Sequence, residues 1–171
     1  KDNLLQFLFE DRSPNDKGAE FNSLHYLLKG NLKDKSDLHF ISTATTECKT
    51  ISQALKEYYR SSGYSAKMTV AEKLDYSNKT FSREGIRNFI NEIIDIIIKY
   101  DRNVQIVATG GFKPEVAYAT LIGFLFKVPV NYIYEYSEEL VVLPEVPINF
   151  DMEELAAYYE ETKEIINAQN Y

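Results

Sequence analysis

Thr109, Gly110, Gly111, Phe112 and Lys113, followed by Pro114, are the residues whose types and spacing best suit chemistry. They separate the apolar run NVQIVAT (103–109) from PEVAYATLIGFLF (114–126). A glycine pair adopts backbone angles closed to other residues and lets a ligand approach the main chain. Proline suits the first turn of a helix, where its missing N–H costs nothing. The residue before a proline is driven out of the helical region, so Lys113 is expected at the helix boundary. Free N–H groups and the positive end of the helix dipole would then favour an anion, with the lysine ammonium adding a full charge. Thr109 adds a hydroxyl at the strand exit. The same residues also fit a tight turn with a solvated lysine, because glycine pairs are common chain punctuation.

A second loop of related character, STATTE (42–47), carries Thr43, Thr45 and Thr46. Both loops end an expected strand and open an expected helix. Helices are expected over 19–30, where Phe21, Leu24 and Leu28 fall at helical intervals before Gly30, and over 47–63, with Ile51, Ala54, Leu55 and Tyr58 on one face. A third spans 82–101, with a stripe of Ile86, Phe89, Ile90, Ile93, Ile97 and Tyr100. Others cover 114–126 and 151–169. Strands are expected over 37–43, 66–74 and 103–109, and two more lie around an acidic turn within 128–144. This alternation predicts an α/β fold: a Rossmann-like, mostly parallel sheet with helices on both faces and a C-terminal β-hairpin. In such sheets ligands bind beyond the carboxyl ends of the strands, the edge where both loops fall.

Composition narrows the function classes. The 171 residues form one domain able to bury a real core, and 44% hydrophobic with 26% charged residues argues against disorder. A net charge of −7 and a pI near 4.9 speak against a broad nucleic-acid surface, so any anion site must be local. One cysteine and two histidines rule out a disulfide framework and weigh against a zinc site. No metal or cofactor is expected. The longest apolar run is too short for a bilayer and no signal-peptide pattern opens the chain, so the expected location is cytoplasmic. The phosphate-loop, dinucleotide and nucleophile-elbow glycine motifs are absent. Cys48 falls in the first turn of a helix, where a thiolate is favoured, but it lacks a nearby paired histidine and reads as inert. His25 is expected on the surface.

The segment IVATGGFKPEVAYATLIGFLFKVPVNYIYEYSEELVVLPEVPINFD closely resembles the C-terminal half of CRISPR-associated Rossmann-fold (CARF) domains, in particular the subgroup that includes ring nucleases. The shared features are a strand, T-G-G-[FY]-K, an A-Y-A-T-L-hydrophobic-G helix, a V-P-V-Y-Y-I hairpin and a proline-punctuated tail, in that order. ISTATTECKTISQALKEYY and FSREGIRNFINEI resemble the family's second strand, Thr-rich loop and following helices, so the resemblance covers most of residues 17 to 151. Family members begin with a strand and a Ser/Thr-rich loop. Here KDNLLQFLFEDR resembles the segment just beyond that loop.

The resemblance implies a CARF domain over 1–150 and a helix over 151–171, acting as a homodimeric sensor of cyclic oligoadenylate in type III CRISPR antiviral defence. The tetra-adenylate is favoured over the hexa-adenylate, and the controlled effector lies outside this chain. Thr109, Gly110, Gly111, Phe112 and Lys113 would hold phosphates and riboses, with Thr43, Thr45 and Thr46 on the opposite wall. Two other readings stay open. One is a metal-independent ring nuclease, in which Lys113 would stabilise charge as a ribose 2′-hydroxyl attacks the adjacent phosphate. The other is a generic nucleotide-binding α/β domain.

Overall fold

A computed structural model describes residues 2–30, 36–111, 113–134, 137–148, 151, 153 and 156–157. Helix α1 spans Asp2–Phe9 and, after a 3-10 turn at Asn15–Lys17, α2 spans Ala19–Gly30. Strand β1 (Asp37–Ser42), helix α3 (Thr46–Ser61) and strand β2 (Ser65–Val70) form a crossover unit. A π-helical turn at Phe81–Gly85 leads into α4 (Ile86–Lys99), followed by β3 (Ile106–Val107), α5 (Lys113–Phe126), β4 (Val130–Ile133) and β5 (Leu140–Val142). The alternation read from sequence is present, with shorter strands. Helix α1 carries no sequence expectation and is an addition. Of the terminal helix expected over 151–169, residues 153, 156 and 157 are helical and most of the rest lies outside the described residues.

The helices bury the stripes that their spacing dictates, with local adjustments. In α4, Ile86, Phe89, Ile93 and Ile97 are buried at intervals of three and four. In α3 the buried face is Ala54, Leu55 and Tyr59, while the expected Ile51 is exposed and Tyr58 only half-buried. In α2 Leu27 joins Phe21 and Leu24 in place of Leu28, and His25 is half-buried rather than superficial. Helices α4 and α5 end in the same way. Arg102 N–H bonds Ile97 O (2.9 Å) and Val128 N–H bonds Gly123 O (2.9 Å), each around a left-handed residue, Asp101 or Lys127. These 6→1 closures satisfy terminal carbonyls and aim the chain into β3 and β4.

The mostly parallel sheet is realised only in part. Strand β1 pairs parallel with β2, from Asp37 opposite Ser65 to Ser42 opposite Val70. Strand β3 pairs parallel with β4, and β4 pairs antiparallel with β5, which forms the expected hairpin. Among the described residues β1 and β3 are not hydrogen-bonded to each other, so there are two small sheets, of two and three strands. Helices nevertheless cover both faces. Leu38 and Phe40 of β1 and Val107 of β3 pack into a cluster with Phe21, Leu24, Leu55 and Tyr59, whereas Ile41, Ile106 and Ala108 pack with Phe89, Ile93, Ile97 and Ala119. The period-two alternation of side chains divides the two clusters. Asn22, fully buried in α2, donates to Ser137 O (3.3 Å) and ties that helix to the hairpin connection.

Candidate functional site

Strands β1 and β3 lie on either side of a cavity of about 960 Å³, and the loops at their carboxyl ends form its mouth. Thr43 and Cys48 contribute from one loop and helix start, and Gly110 and Gly111 from the other. The structure thus brings together Thr43 and the glycine pair. Lys113 is the first residue of α5 and is exposed, at the boundary where the following proline requires it. Pro114 occupies the first turn, whose N–H groups have no intrahelical partner. Gly111 adopts φ +103°, a left-handed angle that disfavours any side chain. Phe112 lies outside the described residues.

The threonines divide by task. Thr45 caps α3 in extended conformation (φ −69°, ψ 151°), its Oγ1 accepting from Cys48 N–H at 3.3 Å. Thr43 Oγ1 lies 3.1 Å from Thr45 Oγ1, so the two hydroxyls share a hydrogen bond. Backbone bonds from Ala44 N–H to Leu74 O (2.9 Å) and from Ala71 N–H to Ser42 O (2.8 Å) hold this loop against the segment after β2. Thr46 is not brought to the cavity mouth. It lines a separate depression with Lys49, Thr50, Gln53, Met68 and Val70. Thr109 Oγ1 accepts from Ile133 N–H at 3.1 Å, which fixes the end of β3 to β4, and Thr109 is not in the cavity lining.

Two carboxylates at the glycine loop went unread in the sequence. Glu20, in the first turn of α2, presses so closely on Gly110 that a Cβ there would run into its carboxylate. Glu115, in the first turn of α5, is 4% exposed and lies beside Gly111. The available signal was position, because acidic residues in a first helical turn complement the dipole. Glu20 approaches this loop only through tertiary packing. Glu20 and Glu115 thus line the cavity beside the glycine pair, with Lys113 next to that lining in sequence, and an anion bound there would share the mouth with Glu20.

Neither histidine stands at this mouth. His39 Nε2 lies 2.9 Å from Tyr100 Oη, which donates to Asp37 Oδ2 at 2.8 Å, near the start of β1. Tyr100 spends its one proton on Asp37, so His39 Nε2–H is the donor in their contact. Burial and the nearby Lys67 and Lys99 hold this imidazole below its ordinary pKa, against the opposing pull of Asp37. His25 is likewise lowered by burial, with Lys29 and Lys17 adding to it. Among the described residues no group of three His, Cys, Asp or Glu side chains could hold a metal ion, and no helix is long and apolar enough to cross a membrane.

Fold and mouth together define a mixed α/β protein with a cavity between β1 and β3 that reaches the loops at their carboxyl ends, the edge where ligands usually bind in such sheets. The family model described as CRISPR-associated protein (Cas_APE2256) matches residues 15–146. The chain belongs to that family, and its context is CRISPR defence.

Proposed function

We propose that this chain is a CARF-type sensor that binds a cyclic oligoadenylate, tetra-adenylate in preference to hexa-adenylate, as a two-fold dimer controlling an effector outside these residues. One observation carries the reading: Thr43 and the Gly110–Gly111 pair meet at one mouth, where α5 begins with an exposed Lys113. Backbone N–H groups at a helix start, a lysine ammonium and threonine hydroxyls are the donors that phosphodiesters and ribose hydroxyls accept from. Membership of a CRISPR-associated family favours a ligand from that defence over an unrelated nucleotide. Binding is preferred to cleavage because His39, the one imidazole in the cavity lining, sits near the start of β1, four residues before Thr43, and His25 is outside the lining.

Labelled cyclic tetra- and hexa-adenylate, titrated at equilibrium and then separated into intact and opened ring in excess chelator, test this. Micromolar or tighter binding of the tetra-adenylate with ligand recovered intact is expected. Binding of neither ring would overturn the proposal. Rapid chelator-resistant opening that Lys113→Ala abolishes would replace the sensor with a ring nuclease.

A further inference from the structure

The donors at the mouth suit phosphate and ribose, and none of them reads a base. The segment between β2 and α4 brings an aromatic ring to the same place. Ala44 N–H, between Thr43 and Thr45, bonds Leu74 O at 2.9 Å. Leu74 is fully buried, lines the cavity and shares a cluster with Ala119 of α5, against which Val116 also packs. Two residues further on, the chain stands between the Thr43 loop and the start of α5. The residue there is Tyr76, 47% exposed. Partial burial and then the charge of Glu115 hold its hydroxyl above the ordinary tyrosine pKa. Tyr76 therefore lies on the side of the mouth where Glu115 borders Gly111.

The ring is held in place. It rests on Phe81, with ring centroids 4.3 Å apart and planes 32° apart. Phe81 packs against the core cluster, and Tyr76 is outside it. Ser77 N–H and its hydroxyl both donate to Asp75 Oδ1 at 2.8 Å, and Thr80 N–H donates to Asn78 Oδ1 at 2.9 Å. Such side-chain bonds close the turns on either side of the ring. Behind them Lys73 takes φ +63° and ion-pairs with Glu84, and a Cβ on Gly85 would run into Lys73 O. The turn is thus fixed by contacts other than those of the Tyr76 ring. An aromatic side chain already fixed in position loses little freedom when a flat ring stacks on it.

We propose that Tyr76 is the base platform of this mouth: one adenine of the ligand stacks on its ring while the adjoining phosphate lies at the Gly110–Gly111 turn and Lys113. The proposal rests on the cyclic oligoadenylate reading above and adds the group that separates a nucleotide from other anions. Backbone N–H groups and a lysine alone would accept any phosphodiester of suitable size. An aromatic beside them makes affinity depend on the base, because stacking contributes a sizeable share of binding for each base engaged.

The test uses the full chain with cyclic tetra-adenylate and cyclic tetra-uridylate, titrated against the parent, Tyr76→Leu and Tyr76→Trp. Leucine keeps an apolar side chain on Phe81 and has no π-face. The chain contains no tryptophan, so the indole of Tyr76→Trp reports on this position alone. Tyr76→Leu should bind the adenylate roughly tenfold more weakly, with its melting temperature unchanged and its preference for adenylate over uridylate reduced. Tyr76→Trp should bind at least as tightly as the parent, its emission quenched in step with ligand. A parent that binds the adenylate, beside a Tyr76→Leu of equal affinity or an indole emission that ligand does not change, would overturn the platform and leave the sensor reading standing. A parent that binds neither ring overturns the sensor reading itself, and the platform with it. If Tyr76→Leu proves less stable, the indole emission of Tyr76→Trp decides alone.

Discussion

Glu20 of α2 lies directly against Gly110, with its carboxylate where a Cβ on that glycine would sit. The adjacent Gly111 has φ +103° and, on its own side, the buried Glu115 as its neighbour. The two glycines therefore serve different ends, close approach at one and backbone angle at the other. Gly111→Ala should destabilise the fold by about 1–3 kcal/mol, the cost of holding a side chain at such an angle. Gly110→Ala meets only the end of an exposed, flexible side chain and should stay within about 1 kcal/mol of the parent. Chemical denaturation of both variants checks this, and equal losses would contradict the distinction.

At the mouth, Glu20 and Lys113 should act on an anionic ligand with opposite sign. Lys113→Ala removes a charged hydrogen bond and should weaken cyclic oligoadenylate by about 1.5–3 kcal/mol per site, more than tenfold. Glu20→Gln removes a competing carboxylate and should strengthen binding severalfold, about 0.5–1 kcal/mol for an exposed charge, with the gain fading as salt rises. Titration calorimetry at two salt concentrations reads both. Unchanged affinity in a folded Lys113→Ala variant would remove that lysine from the site.

Thr109 has a structural duty to Ile133 N–H that Thr→Val exposes. The substitution keeps the shape and leaves the part-buried N–H without its acceptor, which should cost about 1–3 kcal/mol. Thr109→Ser keeps the oxygen and should retain most of that stability. The pair of denaturation midpoints decides the matter. A stable Thr109→Val beside a destabilised Thr109→Ser would mean that the methyl group, not the hydrogen bond, holds β3 to β4.

The His39–Tyr100–Asp37 chain predicts a pH dependence. Burial lowers the folded pKa of His39 below its ordinary 6.5, so the unfolded chain takes up a proton more readily. That contribution to stability is complete above pH 6.5 and is lost as pH falls from there through the folded value. His25 acts in the same direction. Melting temperature measured at stepped pH should fall on acidification below this point. His39→Gln, which keeps an N–H donor for Tyr100 and cannot titrate, should flatten the slope. A stability that rises on acidification across this window would refute the assignment.

Helix α5 offers the surface for the proposed dimer. Tyr118 and Leu121 are 39% and 45% exposed on a helix whose other side is buried, and they follow the mouth by one to two turns. A two-fold ring ligand is matched by an isologous interface that places two such mouths together. Leu121→Glu would set like charges against each other and should weaken dimerisation at least tenfold, read by sedimentation at micromolar concentration. A monomeric parent, with and without ligand, would exclude this interface.

Local chemistry sufficed for much of this protein. Gly110, Gly111, Lys113 and Pro114 mark a strand-to-helix turn because glycine and proline restrict the backbone wherever they occur. The stripe of Ile86, Phe89, Ile93 and Ile97 marks a helix because its period is local. The hairpin of β4 and β5 was legible for the same reason. Other features depend on which distant segments meet, and no periodicity records that. Packing turned α3 to bury Tyr59 rather than Ile51, brought Glu20 from α2 onto the glycine loop, and spent the Thr109 hydroxyl on β4. It also turned Thr46 away from the mouth that Thr43 shares. The division into two sheets belongs to the same class, because a strand's edge is paired or open according to its neighbour in space. The residue types fixed what each segment could do, and tertiary packing decided which of those capacities remain open to a ligand.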